Sequence, residues 1–354
     1  MRTSLASPLR RRAVGTALLT AGLVATGVLA PPATAQSVSK VGTTAATFLS
    51  IGVGARAMGQ GSAYVASADD VTSLYWNAAG LAQMTRGEVA ASHSAWLGDL
   101  QHDHLAAAMP LAGGVAAVGV TSLRVPEMLV RTEDRQEGTG ETYDAQDLAL
   151  SIAYARQVTD RFSIGGTAKM VQQRIWNESA RGFAVDLGTQ FRTDLLGGLI
   201  VGASVTNFGT PMRLDGRDLA GSVDPNPTQN GTIGDVPTTL TTESWDLPLT
   251  FQIGVAVRPI QTRMQQLTLS LDALHPSDNY ESLNVGAEYG VRGRFFLRGG
   301  YEGLFLPEQE GGISGGVAAR VPLPYEGGEA RVDYGYRGAG RLGGAHVVSV
   351  GLTF

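Results

Sequence analysis

From about Glu88 to the last residue, apolar side chains return at every second position and never run together. Leu148, Leu150, Ile152 and Tyr154 alternate with Asp147, Ala149, Ser151 and Ala153. Phe183, Val185, Leu187 and Phe191 alternate with Ala184, Asp186, Gly188 and Gln190. A period of two is the repeat of a strand with one apolar and one polar face. Asp147, Asp186, Asp272, Glu288, Arg298, Arg331 and Asp333 all share the polar parity. On the other parity, facing lipid near the midplane, an arginine costs roughly 2–4 kcal/mol. The pattern therefore suits a sheet closed on itself, with apolar residues outside and charges in the lumen. Closure also pairs every backbone donor and acceptor inside a bilayer.

A soluble sandwich shares this alternation, so the choice rests on other features. The chain is 43% hydrophobic and only 17% charged, against about 25% charged in soluble domains. After the first 36 residues no stretch approaches the roughly 18 consecutive apolar residues of a transmembrane helix. At the N-terminus, Arg10, Arg11 and Arg12 precede an uncharged, largely apolar run over 13–30, then Pro31, Pro32 and the small-x-small site Ala33-Thr34-Ala35. This is the pattern of a secretory signal cleaved after Ala35. Its removal takes away four of 27 basic residues and no acids, leaving 23 against 32 and a net charge of −9, which disfavours nucleic acid as a partner. There is no cysteine, so an exported chain of this size relies on burial or a membrane rather than disulfides.

The turn residues divide 88–354 into about fourteen strands, the first near 88–97 and the last near 344–354. Counted from the first strand, the even connections are all short. The odd ones include both long loops, about 126–142 and 208–247. Outer-membrane barrels keep short turns on the periplasmic side and long loops outside. The last strand carries Val348, Val350, Leu352 and Phe354 on one face. It resembles the closing strand of bacterial outer-membrane barrels, whose terminal residue is read by the barrel-insertion machinery, and Phe354 is the expected insertion signal. The expected fold is an all-β, transmembrane, up-and-down antiparallel barrel of about fourteen strands in the outer membrane, contacting its lipid. The expected division is 1–35 signal peptide, 36–86 N-terminal hatch and 87–354 barrel.

Residues 41–85 do not alternate, and the expectation is that they plug the barrel. Ala68-Asp69-Asp70 has the composition to cap a short helix through Tyr75, and Asn77 to cap a second turn at 78–81. The run Phe48-Leu-x-Ile-Gly-x-Gly-Ala-Arg-Ala-Met-Gly59, then Ala68-Asp-Asp-Val and Leu74-Tyr-Trp-Asn-Ala-Ala-Gly-Leu81, is similar to the opening of the PorV/PorQ family. A second match is Val205-Thr-Asn-Phe-Gly-Thr-Pro-Met212, followed after the long loop by Leu247-Pro-Leu-Thr-Phe-Gln-Ile-Gly254. The resemblance covers essentially the whole mature chain. It implies a FadL-like barrel with an N-terminal hatch. Where the family usually has Asn-Pro-Ala-Gly-Leu this chain has Ala78 in the proline position, which removes a pre-set φ angle but leaves the Asn77 cap.

Recognisable catalytic chemistry is missing. Gly312-Ile-Ser314-Gly-Gly316 has nucleophile-elbow spacing but sits in a glycine-rich strand rather than a strand–turn–helix. His102-Asp103-His104 lacks a third ligand for zinc and reads as solvated residues at the mouth of an outer loop. Gly52-Val-Gly54 lacks the third glycine and the βαβ unit of a dinucleotide site. The chain is expected to be no enzyme, with no cofactor and no metal. The resemblance implies action with the type IX secretion system, docking secretion-system components and secreted cargo. The alternative is a FadL-like channel for hydrophobic small molecules, against which the mostly polar inward set argues. The candidate partner-binding residues are Asp69, Asp70, Trp76 and Asn77 in the hatch and Trp245 at the end of the long loop. Their bland roles are helix caps for Asp69, Asp70 and Asn77, hatch packing for Trp76 and the interfacial aromatic girdle for Trp245.

Overall fold

The structure is a computed structural model that describes residues 41–224, 236–324 and 327–354. The expected signal segment, 1–35, lies outside the described residues. Fourteen strands form the wall: β1 Glu88–Ala95, β2 Gln101–Leu111, β3 Gly114–Leu129, β4 Thr142–Thr159, β5 Phe162–Ile175, β6 Glu178–Thr193, β7 Leu199–Gly209, β8 Thr250–Gln261, β9 Gln265–Pro276, β10 Ser282–Val291, β11 Phe295–Leu304, β12 Ile313–Pro322, β13 Glu329–Gly338 and β14 Gly344–Thr353. Each pairs antiparallel with its neighbours in the chain, and β1 pairs with β14, with Ala91 opposite Val350. The sheet is therefore a closed up-and-down barrel.

The pleat sorts the sequence as the alternation requires. Val118, Ile152, Leu187 and Leu297 lie exposed on the outside. Asp186, Asp272, Glu288, Arg298, Arg331 and Asp333 are buried on the inside. The parity has exceptions. His102 and His104 point inward and are buried, while Asp103 between them faces outward with Arg124. This corrects the reading of 102–104 as solvated loop-mouth residues: all three lie within β2, and successive residues of a strand take opposite faces. Ser314 also points inward, where its hydroxyl reaches the Gly59 carbonyl at 3.4 Å. It is a partner of the N-terminal segment within a strand, away from any elbow.

The even connections span 112–113, 160–161, 194–198, 262–264, 292–294 and 323–328, and the odd ones include 130–141 and 210–249. Ala112 and Gly113, and likewise Arg292 and Gly293, have both φ angles positive. That is the conformation of a type I′ hairpin turn, whose twist matches the flanking strands. Within the long loop, Ala220–Val223 pairs with Val236–Thr239, and Ser244–Trp245 pairs with Met212–Arg213.

The chain end closes the seam. Phe354 donates its backbone N–H to the Gly87 carbonyl at 2.9 Å and accepts from Gly87 N–H at 3.1 Å. Its ring lies against Gly87, where an added Cβ would come within 2.5 Å of it. Phe354→Asp puts a charge where the ring packs at the barrel edge. The level of heat-modifiable, assembled barrel in the membrane fraction should fall several-fold. Unchanged levels would remove Phe354 from any insertion role.

Candidate functional site

The segment before β1 carries a 3-10 turn at Thr47–Ser50, helix α1 at Ala55–Gly59, helix α2 at Ser73–Trp76 and a second 3-10 turn at Ala78–Gln83. These pieces are too short to be stable alone, so the wall supplies their stability. At one end Gly42 and Thr44 bond to Asp278, and Ala45 to Asp246, beside the long loops. At the other end Arg86 donates to the Gly327 carbonyl at 2.7 Å, beside a short turn. Between these points nearly every residue from 53 to 81 is buried.

Ion pairs fix this segment to the inside of the wall. Arg56, on α1, donates from Nε and Nη2 to both Glu288 oxygens at 3.0 Å each, a bidentate pair. Its Nη1 reaches Asp69 at 2.6 Å, Tyr64 Oη at 2.8 Å and Asp70 at 3.2 Å. Asp70 also accepts from Arg331 Nη1 at 3.1 Å, Tyr64 Oη at 3.0 Å and the Thr72 backbone N–H at 3.0 Å. Arg298 bridges Glu288 and Asp333, both at 2.7 Å. Burial alone raises the Asp70 carboxyl, but Arg331 and Arg56 beside it outweigh that and hold it well below the ordinary carboxylate range. Burial pushes the Tyr64 phenol upward, against the lowering effect of Arg56, so it stays a neutral donor.

Asp69, Asp70, Trp76 and Asn77 fall in this assembly. Asp69 is the more exposed carboxylate and also meets Arg258 at 3.4 Å. Trp76 donates Nε1–H to the Val53 carbonyl at 3.0 Å and stacks edge-on with Tyr75 and Tyr64. Asn77 accepts from Ala79 N–H at 3.1 Å and donates to the Val65 and Thr189 carbonyls. It caps the turn and ties it to β6. Neither acid caps helix α2, which begins at Ser73 with Thr72 as its N-cap and no side-chain capping bond; Asp70 Oδ1 accepts from Thr72 and Oδ2 takes the arginines. Trp245 stands apart, half-exposed in the long-loop ribbon opposite Met212.

Arg56, Tyr64, Glu288 and Arg331 complete the lattice without having been singled out as site residues. Glu288 and Arg331 were visible as inward charges and Arg56 as part of the N-terminal motif, but nothing in the chain marked them as partners. Above α2, toward the long loops, lies a cavity of about 280 Å³. Leu49, Tyr75, Trp76, Leu274 and Leu306 give it apolar wall, and Lys169, Asn207, Asn284 and Glu302 give it polar groups. Lys169 is held by Asp186 at 2.6 Å and donates to Asn207 at 2.9 Å. Asn207 is a bulge residue with φ of 62°, and its backbone N–H bonds Asp186 where the β6–β7 register shifts. The site is therefore a small amphipathic chamber floored by the N-terminal segment.

A family model described as an uncharacterised protein family, UPF0164, matches residues 21–122. No curated protein matches the chain. Among solved structures it is similar to the Pseudomonas putida toluene transporter TodX, with TM-score 0.54 and 11% identity over 85% of this chain and 97% of that one. The Ralstonia pickettii toluene transporter TbuX gives TM-score 0.53 and 11% identity over 85% and 97%. A Pseudomonas aeruginosa FadL homologue gives 0.50 and 11% over 85% and 98%. At this identity the likeness shows the fold, a FadL-like β-barrel.

Proposed function

We propose that this chain is a non-enzymatic outer-membrane barrel that passes small, largely apolar molecules, with its N-terminal segment as a movable plug. The observation that carries this reading is the chamber beyond α2, whose floor is the segment itself. Its volume, about 280 Å³, falls just short of the roughly 300–1,000 Å³ of small-molecule sites, which suits a small guest. The similarity to barrels named as toluene transporters supports the same reading. The polar inward set had argued against an apolar path. Much of it is taken up by the lattice: Glu288, Arg298, Arg331 and Asp333 face the segment or one another rather than an open lumen.

The test exploits the absence of native cysteine. Ala57 on α1 is 1% exposed. In cells expressing Ala57→Cys, a maleimide should label the barrel faster when toluene is present, as the segment moves and bares the thiol. Labelling that ignores toluene would remove plug movement from the mechanism. Wild-type uptake of labelled toluene no greater than that of a deletion strain would remove the channel.

A second reading rests on the PorV/PorQ-like N-terminal run and on the long loop, where Leu240 and Trp245 are exposed. In this reading the barrel docks components of a type IX secretion system and their cargo. A photo-crosslinker at position 245 that traps exported proteins on intact cells would favour it over the channel. No trapped protein, together with toluene uptake, would leave the channel alone.

A further inference from the structure

Apart from the Arg174–Asp144 pair nearer the long-loop end, the described outside of the barrel carries an ionic cluster among apolar neighbours. His93 on β1 and Asp103 on β2 are direct cross-strand partners, with Nδ1 and Oδ1 at 2.7 Å. Arg124 on β3 donates from Nη2 to the other Asp103 oxygen at 2.6 Å. All three lie on the outward parity, and their side chains are partly exposed. One register step toward the short-turn end, the same face carries Ala91, Leu105, Val120 and Val350, and Val348 stands beside His93. These residues outline a groove of about 490 Å³ that ends at His93 and Asp103, with Arg124 just beyond its lining. It exists because Ala91 is small between Leu105 and the two valines.

Charges on the outward parity are the exception in this wall, and on a lipid face they are disfavoured unless matched. The match is specified by what remains unused. A carboxylate has about four acceptor positions and a guanidinium five N–H donors. Asp103 accepts one bond on each oxygen and Arg124 gives one Nη2 bond. The remainder is an adjacent acceptor and donor array, with an apolar trough leading away. A purely anionic headgroup meets Asp103 unfavourably, and a quaternary ammonium has no N–H to donate.

We propose that this face binds phosphatidylethanolamine. The lipid phosphate accepts from Arg124, its primary ammonium donates to Asp103, and an acyl chain lies in the Ala91 groove. The proposal requires the barrel in a membrane and is independent of what passes through it.

Native mass spectrometry of the detergent-extracted, full-length protein tests this with defined lipids of identical acyl chains. Phosphatidylethanolamine should be retained about tenfold more than phosphatidylcholine, as one to two charge-assisted hydrogen bonds imply. Arg124→Gln and Asp103→Asn should each remove that preference. Ala91→Phe should lower retention of every lipid by filling the groove while leaving the cluster intact. Heat-modifiable mobility checks that each variant is folded. Equal retention of the two lipids, or stronger retention of phosphatidylglycerol, would overturn the headgroup assignment. Unchanged retention in Ala91→Phe would overturn the groove. In either case the cluster would be a rim salt bridge of the ordinary kind, contributing little.

Discussion

Asp70→Ala should release the N-terminal segment while leaving the barrel closed. The carboxylate is 4% exposed and lies between Arg56 and Arg331. Removing it leaves two buried guanidinium groups sharing fewer acids and frees the Thr72 N–H. Breaking a buried charge network in this way costs about 3–5 kcal/mol. Amide exchange over residues 53–81 should then quicken by roughly two to three and a half orders of magnitude. Barrel strands should keep their protection, and single-channel recordings should show openings rare in the parent. Asp69→Ala is the comparison. Its carboxylate is more exposed, so the loss should be only about 1 kcal/mol. The pH response follows from the same geometry. A depressed carboxyl contributes stability above its ordinary range and loses it as pH falls through the folded value. The segment should therefore stay protected in mild acid and loosen only well below the ordinary carboxylate range. Equal exchange in Asp70→Ala and the parent would show that the lattice does not seat the segment.

Gly286→Leu should displace the same segment by a steric route. A Cβ at Gly286 would lie 2.2 Å from the Gln60 carbonyl oxygen. Gln60 cannot withdraw around the wall, because Gly300 on the next strand faces the same peptide at 2.4 Å. Real Cβ atoms essentially never come within 3.0 Å of such neighbours, so backbone must move. Movement is easier for the short turn following α1 than for two strands held by ladder bonds. Conductance should rise and protease should reach the segment, with heat-modifiable mobility retained. Gly299→Leu is the control in β11, since an added Cβ there meets nothing within 4 Å. A silent Gly286→Leu would mean that the segment is seated elsewhere.

Much of the barrel was readable in the chain because it is a local property. Alternation is written residue by residue, and a strand turns each pair of neighbours to opposite faces. Strand ends near 88, 265 and 344 and the parity of connection lengths follow from that period and from turn residues. Even the outward placement of Asp103 was legible, since it shares the parity of Leu105 and Met109. Treating 102–104 as a histidine motif obscured it. The short turns at 112–113 and 292–294 each carry a glycine of positive φ, a local requirement of the same kind.

What only the tertiary structure decided is which charges meet. Arg56 and Glu288 are 232 residues apart, and Asp70 and Arg331 are 261 apart. No periodicity spans such separations. The path of residues 41–87 is likewise set by the wall, through glycines that admit a backbone and inward acids that receive an arginine. The chain by itself determined a closed sheet with charges inside. Folding determined that those charges bind the chain's own N-terminal segment, because buried ions in a low-dielectric interior must be paired, and their nearest partners were supplied from the far end of the sequence.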